Sequence, residues 1–386
     1  MIKNTYDVII IGAGSVGLPT SLFLAKERLK VLVLDYYPSV GQGQNKSAIG
    51  GVRATHSDPA KIQTCLKSLE IFANWKDEYG DDIDFDRGGY TFPAYDEKTA
   101  AGLKKLLETQ KRFGLNIDWL EGKDLQHVLP GIYGEGLLGG TYSPGDGHLS
   151  PLKVAASFHH QARLRGVEFR CGERVLNVTC PERGVFDVHT DKDVYTSANL
   201  INAAGAEARA IGQMLGIDLP VYTDCHEAGV TEAVKRFLHP MVVDIRIYPN
   251  SKNFYFYQNS EGHFIFCITP DPPILGADRR ATSAFLPDSG QRLIRLFPKL
   301  QNVKIRRTWR GLYPMTPDGV PIIDKIEEIE GLYVAVGMCG QGLMLGPGVA
   351  ANLTHLILHR KPLLPQEIFD DFSSYRDYSG HSEALR

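Results

Sequence analysis

Apolar residues along this 386-residue chain follow two spacings, and the switches between them mark its elements. Residues 8–11 and 31–34 are unbroken apolar runs, the pattern of parallel strands buried on both faces. The stretch between them opens at Gly12 and continues as a helix. Helical spacing returns at 58–79, where Ile62, Cys65, Leu66, Leu69, Phe72 and Trp75 recur, with Asp58 as cap and Pro59 in the first turn. Further helices are predicted over 97–113, 124–128 (stopped by Pro130), 152–165 and 284–297 (stopped by Pro298). Strands are predicted over 85–95 and 136–142, followed by a small meander of 167–171, 174–179 and 185–190. A buried strand at 198–203 leads into Ala204-Gly205-Ala206 and a helix to Leu215. From 219 to 269 the chain reads as an antiparallel sheet, with Tyr255 and Tyr257 on one face and Phe254 and Phe256 on the other. After a strand at 303–309, residues 331–361 repeat strand, glycine turn and helix.

The first strand–turn–helix unit carries candidate chemistry. Gly12, Gly14 and Gly17 form G-x-G-x-x-G. The first glycine permits the tight turn, the second lets the backbone approach a pyrophosphate, and the third lets the helix pack on the strand. An anion there is held by helix N–H groups and the helix dipole. Asp35 ends the second strand where an acid can accept both ribose hydroxyls. A glycine turn alone is weak evidence, but this one sits between strand and helix and is answered by an acid. That context points to a dinucleotide without saying which. The glycine-rich segment 36–53 can lie along such a cofactor and offer amides from Ser47, Gly50 and Gly51. A surface loop is the other reading of that segment. Strand–glycine–helix units near both ends of the sequence suit a cofactor cradled by both.

Length allows two domains. A net charge of −3 gives no general attraction to nucleic acid or anionic lipid. The longest apolar runs are strand-length, so no membrane span is expected. Residues 1–5 lack the basic start and apolar core of a signal peptide. The six cysteines are scattered with no C-x-x-C pair, so no metal site is expected and the thiols read as reduced. A cytoplasmic location is the default expectation.

YDVIIIGAGSVG with VLVLD, GGVR at 50–53, LINAAGA at 200–206, WRGLYPMTPDGVP at 309–321 and VAVGMCGQGLMLGPGVA at 334–350 come in a telling order. In that order they resemble the D-amino-acid oxidase-like FAD oxidoreductases over nearly the whole chain. RATHSDPAKIQTCLKSLEIF and DGHLSPLKVAASF further resemble the branch of sarcosine oxidase and amino-acid dehydrogenase β-subunits, L-proline dehydrogenase β chains included. The resemblance implies an α/β fold, α+β overall. A Rossmann-like FAD-binding domain would comprise 1–84, 150–216 and 305–386. An inserted antiparallel-sheet substrate domain would comprise 85–149 and 217–304. It implies that Gly12, Ala13, Gly14, Ser15, Val16, Gly17, Asp35 and Tyr36 surround the ADP half of FAD, with Val175, Ala204 and Gly205 near the adenine. Ser47, Gly50 and Gly51 would lie along the pyrophosphate and flavin. Gly311 would sit beside the flavin, and Gly337, Gly340, Gln341, Gly342 and Leu343 would turn N–H groups toward its electron-rich edge.

The same resemblance implies oxidation of the C–N bond of a small amino or imino acid, proline-, sarcosine- or N-alkylglycine-like, by hydride transfer to flavin N5. Arg53 is expected to grip the substrate carboxylate, since a guanidinium fork matches it bidentately; a surface ion pair is the bland alternative. His56, His148 and His226 are candidate proton acceptors, or simply hydrogen-bonded residues of the fold. Tyr255 and Tyr257 are candidate pocket walls, or ordinary strand aromatics. Cys339 reads as a packing residue. Several positions depart from relatives. Met344 stands where sarcosine oxidases carry a lysine, and Tyr313 where glycine oxidases carry an arginine. No cysteine occurs in 309–314, which implies non-covalent FAD. Ile265 aligns with a lysine that promotes reaction with O₂, which favours a dehydrogenase passing electrons to another acceptor or a partner subunit. A 2-hydroxy acid or glycerol-phosphate dehydrogenase, and an electron-relay subunit, are the alternative functions.

Overall fold

The computed structural model describes residues 4–380 and 382–385, so the reading of residues 1–5 falls largely outside it. Its first sheet runs in the order Ile322–Lys325, Leu332–Val336, Val194–Asn202, Thr5–Ile11, Val31–Asp35, Glu168–Cys171. Every neighbouring pair in that row is parallel except Ile322–Lys325 with Leu332–Val336. Both faces of the central strand are covered, which is why its apolar run is unbroken. Val8 and Ile10 pack with residues of the helices Gly17–Lys26, Pro59–Tyr79, Pro151–Leu164 and Gly342–Ile357, among them Leu22, Phe72, Phe158 and Leu345. Ile9 and Ile11 pack with Phe186, Val188 and Ile211 on the other side.

Asp58 caps the helix Pro59–Tyr79 by accepting from the Lys61 amide, and Gly80 ends it in the left-handed conformation. The stretch 167–171, grouped with a meander from its sequence, belongs to the parallel row instead. The helix Pro151–Leu164 supplies the crossover that a parallel strand requires. Val175–Glu182 and Val185–Thr190 then extend Val194–Asn202 in antiparallel pairing.

The second sheet has the order Ile305–Met315, Tyr222–Ala233, His263–Pro270, Ser251–Gln258, Met241–Asp244, Tyr90–Ala94, Gly139–Ser143, Asp118–Glu121. Phe254, Phe256, Phe264 and Phe266 cluster with Phe285, Leu293 and Leu296 of the helix Phe285–Leu296. The alternate residues Tyr255, Tyr257 and Cys267 cluster with Ile49, Tyr90 and Met241. Ile305–Met315, grouped with the FAD-binding segments from its sequence, pairs along its length with Tyr222–Ala233 of this sheet. Asp118–Glu121 was not read as a strand; it is a short, partly exposed edge with little apolar pattern. A small ladder of Gly51–Val52 with Gly147–His148 fastens the 36–53 arm to the turn-rich 143–150 segment.

Candidate active site

A cavity of about 510 Å³ is lined by residues of both sheets and of the arm. Two helices begin at it, Gly17–Lys26 and Gly342–Ile357, and neither has a side-chain cap at its N-terminus. Their first-turn N–H groups therefore have no side-chain acceptor, which suits an anion or an electron-rich edge. The two starts lie side by side. A Cβ on Gly346 would stand 1.9 Å from the Ser15 carbonyl oxygen, so only glycine allows this contact. Gly14 differs: a Cβ there would meet nothing within 4 Å, so this glycine leaves room for a ligand rather than for protein.

Asp35 lines one part of the cavity with Tyr36, Arg174 and Val175. Its Oδ2 accepts from the Ala13 amide at 2.8 Å and its Oδ1 from the Tyr37 amide at 2.9 Å. Burial raises its pKa against the pull of those two donors. Each oxygen keeps a second lone pair for a hydroxyl. The Arg174 guanidinium lies 4.7 Å from the Tyr36 ring. The arm crosses close by: a Cβ on Gly205 would stand 2.2 Å from Gln44 Oε1. Every residue expected around the cofactor lines the cavity except Ala13 and Gly17. Ala13 contributes through its amide on Asp35, and Gly17 through the tight fit of the helix against Gly12.

Elsewhere the lining is made of side chains. Arg53 is buried in the wall, its guanidinium 5.9 Å from the Tyr90 ring centre. The loop after Arg53 hangs on buried Asp146, whose carboxylate accepts from the Ala54 amide at 2.9 Å and from Thr55 Oγ1 at 2.5 Å. Tyr255 and Tyr313 share a hydroxyl–hydroxyl hydrogen bond of 2.5 Å, and both line the cavity. Burial pushes both phenols well above their ordinary pKa, so they remain protonated. His226 stacks on Tyr313 with ring centres 3.8 Å apart and bonds through Nε2 to Asp224 Oδ2 at 3.2 Å. Its Nδ1 has no hydrogen-bond partner among the described residues. Asp224 thus sets the ring, and a proton on Nε2 leaves Nδ1 as a lone pair.

Four candidates do not line the cavity. Tyr257 donates to the Ile49 carbonyl at 2.5 Å and stacks on His148 at 4.1 Å, so the two brace the arm from behind. Burial pushes His148 down to about 4. His56 is fully buried behind Arg53, and Ile265 lies two residues short of Cys267, the side chain that packs behind Tyr255. Asp146, Tyr90, Met241 and Glu383 were not singled out from sequence. Asp146 stands in the D-G-H stretch that carried part of the family likeness, so a signal existed; the other three look like ordinary strand and tail residues.

The model of a family described as FAD dependent oxidoreductase (DAO) matches residues 7–356. Sarcosine oxidase subunit beta of Rhizobium meliloti is 25% identical over 370 residues, 93% of this chain and 86% of that protein. Mitochondrial dimethylglycine dehydrogenase of Homo sapiens is 24% identical over 381 residues, and this chain spans 43% of its length. The crystal structure of L-proline dehydrogenase from P. horikoshii matches with a TM-score of 0.91 and 27% identity, covering 98% of this chain and 99% of that one. No helix among the described residues is long and apolar enough to cross a membrane.

Proposed function

We propose that this chain, which belongs to the DAO family of FAD-dependent oxidoreductases, oxidises the C–N bond of a small amino or imino acid such as proline, sarcosine or another N-alkylglycine. The residues present fit FAD. The open face of Gly14 and the uncapped start of Gly17–Lys26 suit the pyrophosphate, and the uncapped start of Gly342–Ile357 suits the flavin. FAD, when bound, supplies the hydride acceptor.

The observation that carries the reading is Arg53. It is a buried guanidinium in the cavity wall with no carboxylate in salt-bridge contact among the described residues; buried Asp146 acts on it from farther off, and Tyr90 flanks it. A buried guanidinium at a cavity with no carboxylate in contact suits an incoming anion, and its planar geometry matches a carboxylate. Tyr255 and Tyr313 wall the space for the carbon and nitrogen of the substrate. His226, oriented by Asp224, takes the proton that the ammonium must lose before its C–H bond can break. The lack of a cysteine in 309–314 supports non-covalent FAD; Cys339 packs with its Sγ 3.1 Å from the Gly337 carbonyl and 3.4 Å from Thr316 Oγ1. Lys252, half-exposed and 3.2 Å from Asp271, is a poor substitute for a buried cation that would assist O₂. That supports a dehydrogenase, with another acceptor or a partner subunit receiving the electrons.

Anaerobic bleaching of the bound flavin by a panel of amino, imino and hydroxy acids tests this. Bleaching is expected with N-alkylated or cyclic amino acids. Bleaching by hydroxy acids alone would overturn the amine reading, and rapid turnover with O₂ would overturn the dehydrogenase reading.

A further inference from the structure

The Arg53 guanidinium has five N–H groups, and the loop after it and the 383–385 segment take three of them. Nη1 donates to the Thr55 carbonyl and lies 3.2 Å from His56 Nδ1, while Nη2 donates to the Leu385 carbonyl at 2.5 Å. The Tyr90 hydroxyl is a further side-chain partner. What the guanidinium offers a carboxylate is therefore its Nε and Nη2 side, beside that hydroxyl.

Each of the holding groups is itself held. His56 can accept from Arg53 only as a neutral ring, with its proton on Nε2, 3.5 Å from Cys65 Sγ. Burial first, then the charges of Arg53 and Lys61, keep its pKa well below the ordinary histidine value. The Leu385 carbonyl is placed by Glu383, two residues earlier. Glu383 Oε1 accepts from the Ser57 amide at 3.0 Å, from Ser57 Oγ at 2.7 Å and from the Leu385 amide at 2.8 Å. Its Oε2 accepts from the Asp58 amide at 3.3 Å and lies 3.2 Å from Lys61 Nζ. The Leu385 side chain is buried in the same apolar cluster as Tyr90, Phe92 and Met241. Glu383 and Ala384 themselves line the cavity. A segment more than 300 residues from Arg53 in sequence is therefore part of its wall.

We propose that residues 383–385 and His56 are positioning residues for the substrate carboxylate: Glu383 locks the tail in place, and the Leu385 carbonyl and His56 hold Arg53 so that its Nε and Nη2 side, next to the Tyr90 hydroxyl, meets the carboxylate. This rests on the reading of Arg53 above. The tail does more than seal the protein, because it decides which donors of the guanidinium stay free. A wrong rotamer of Arg53 leaves its charge near the site but misaligns the fork, and that penalises carboxylates alone.

The test uses holoenzyme and two small probes, acetate and acetamide, read by perturbation of the bound flavin's visible spectrum. Wild-type protein is expected to prefer acetate. Glu383→Gln should raise the acetate Kd about tenfold or more, as for a lost charge-assisted pair, and leave the acetamide Kd unchanged. His56→Leu should do the same, whereas His56→Gln keeps an acceptor and should stay within about threefold of wild type. If Glu383→Gln does not fold, the two His56 variants decide alone. Unchanged acetate binding in His56→Leu, or equal weakening of acetate and acetamide, would overturn the proposal. Acetate binding that survives Arg53→Ala would overturn the Arg53 reading and the proposal with it. Acetate discrimination that follows these variants, in a protein bleached by no amino acid, would sink the proposed reaction and leave the positioning role standing.

Discussion

The two parts of the cavity are made of different material. Around Gly12–Asp35 and Gly340–Leu343 the wall is main chain: uncapped helix starts, glycines and amides, brought together by two strand–turn–helix units. Around Arg53 the wall is side chains, drawn from the arm, the strands at 90–94, 222–233, 251–258 and 305–315, and the tail at 383–384. Backbone sites are indifferent to most substitutions and intolerant of a few, since a displaced helix start moves every donor at once. Side-chain sites respond in graded fashion, one contact at a time.

The largest test of that difference is Gly346→Val. A Cβ at this position stands 1.9 Å from the Ser15 carbonyl, and both partners are main chain, so neither can rotate away. Destabilisation of about 3 kcal/mol is expected, with loss of bound FAD. A melting curve and the ratio of flavin to protein absorbance check it; a stable, yellow variant would break the comparison. Next comes acid. His148, braced behind the arm by Tyr257, is pushed down by burial from 6.5 to about 4. Its folded pKa lies below its unfolded one, so the stability it contributes is fully present above pH 6.5 and is lost as pH falls toward 4. The loss reaches about 3 kcal/mol. Thermal melts of wild type and His148→Asn across that window should converge as pH falls.

The same contrast explains what was readable from the sequence. The first strand, the glycine turn and Asp35 are contiguous, so the pattern of 8–35 announced the fold and its crevice. Helices such as 59–79 carried their own caps. The place of the strand at 305–315 in the second sheet was not legible, because its pairing with 222–233 is non-local and no pattern in either stretch names its neighbour. Arg53 was legible through the GGVR stretch. Its setting was not, since Asp146 is 93 residues away and Glu383 is 330 away. His56 and Tyr257 were picked as chemistry for their residue types. Neither lines the cavity, and both lie one layer back, a distinction that depends on which way a side chain points rather than on what it is.

Within the side-chain part, two substitutions rank the contacts. His226→Asn keeps a polar group but removes the lone pair that Asp224 orients, so kcat should drop about a hundredfold with substrate Kd little changed. A comparable rise in Kd with kcat unchanged would make His226 a binding residue instead. Arg53→Ala should raise the Kd of a carboxylate substrate about tenfold or more while FAD stays bound. Loss of the flavin in that variant would mean that the two parts of the wall are not independent.

The smallest expected effect falls at the seam between the two materials. Tyr257 belongs to the second sheet, yet its hydroxyl donates to the Ile49 carbonyl of the arm. A Cβ added to the next residue, Gly50, would come 3.0 Å from that hydroxyl, which shows how tightly arm and tyrosine are fitted. Tyr257→Phe keeps the ring and its stack on His148 but leaves a buried carbonyl with one acceptor site empty. A cost of about 1 kcal/mol follows. Because the arm carries both Ser47–Gly51 and Arg53, a main-chain shift there touches cofactor and substrate together. Tyr257→Phe should therefore weaken FAD and a carboxylate probe by similar, small factors of about five or less. An effect confined to one of the two would show that the arm flexes between Gly51 and Arg53, and that the seam lies inside the arm.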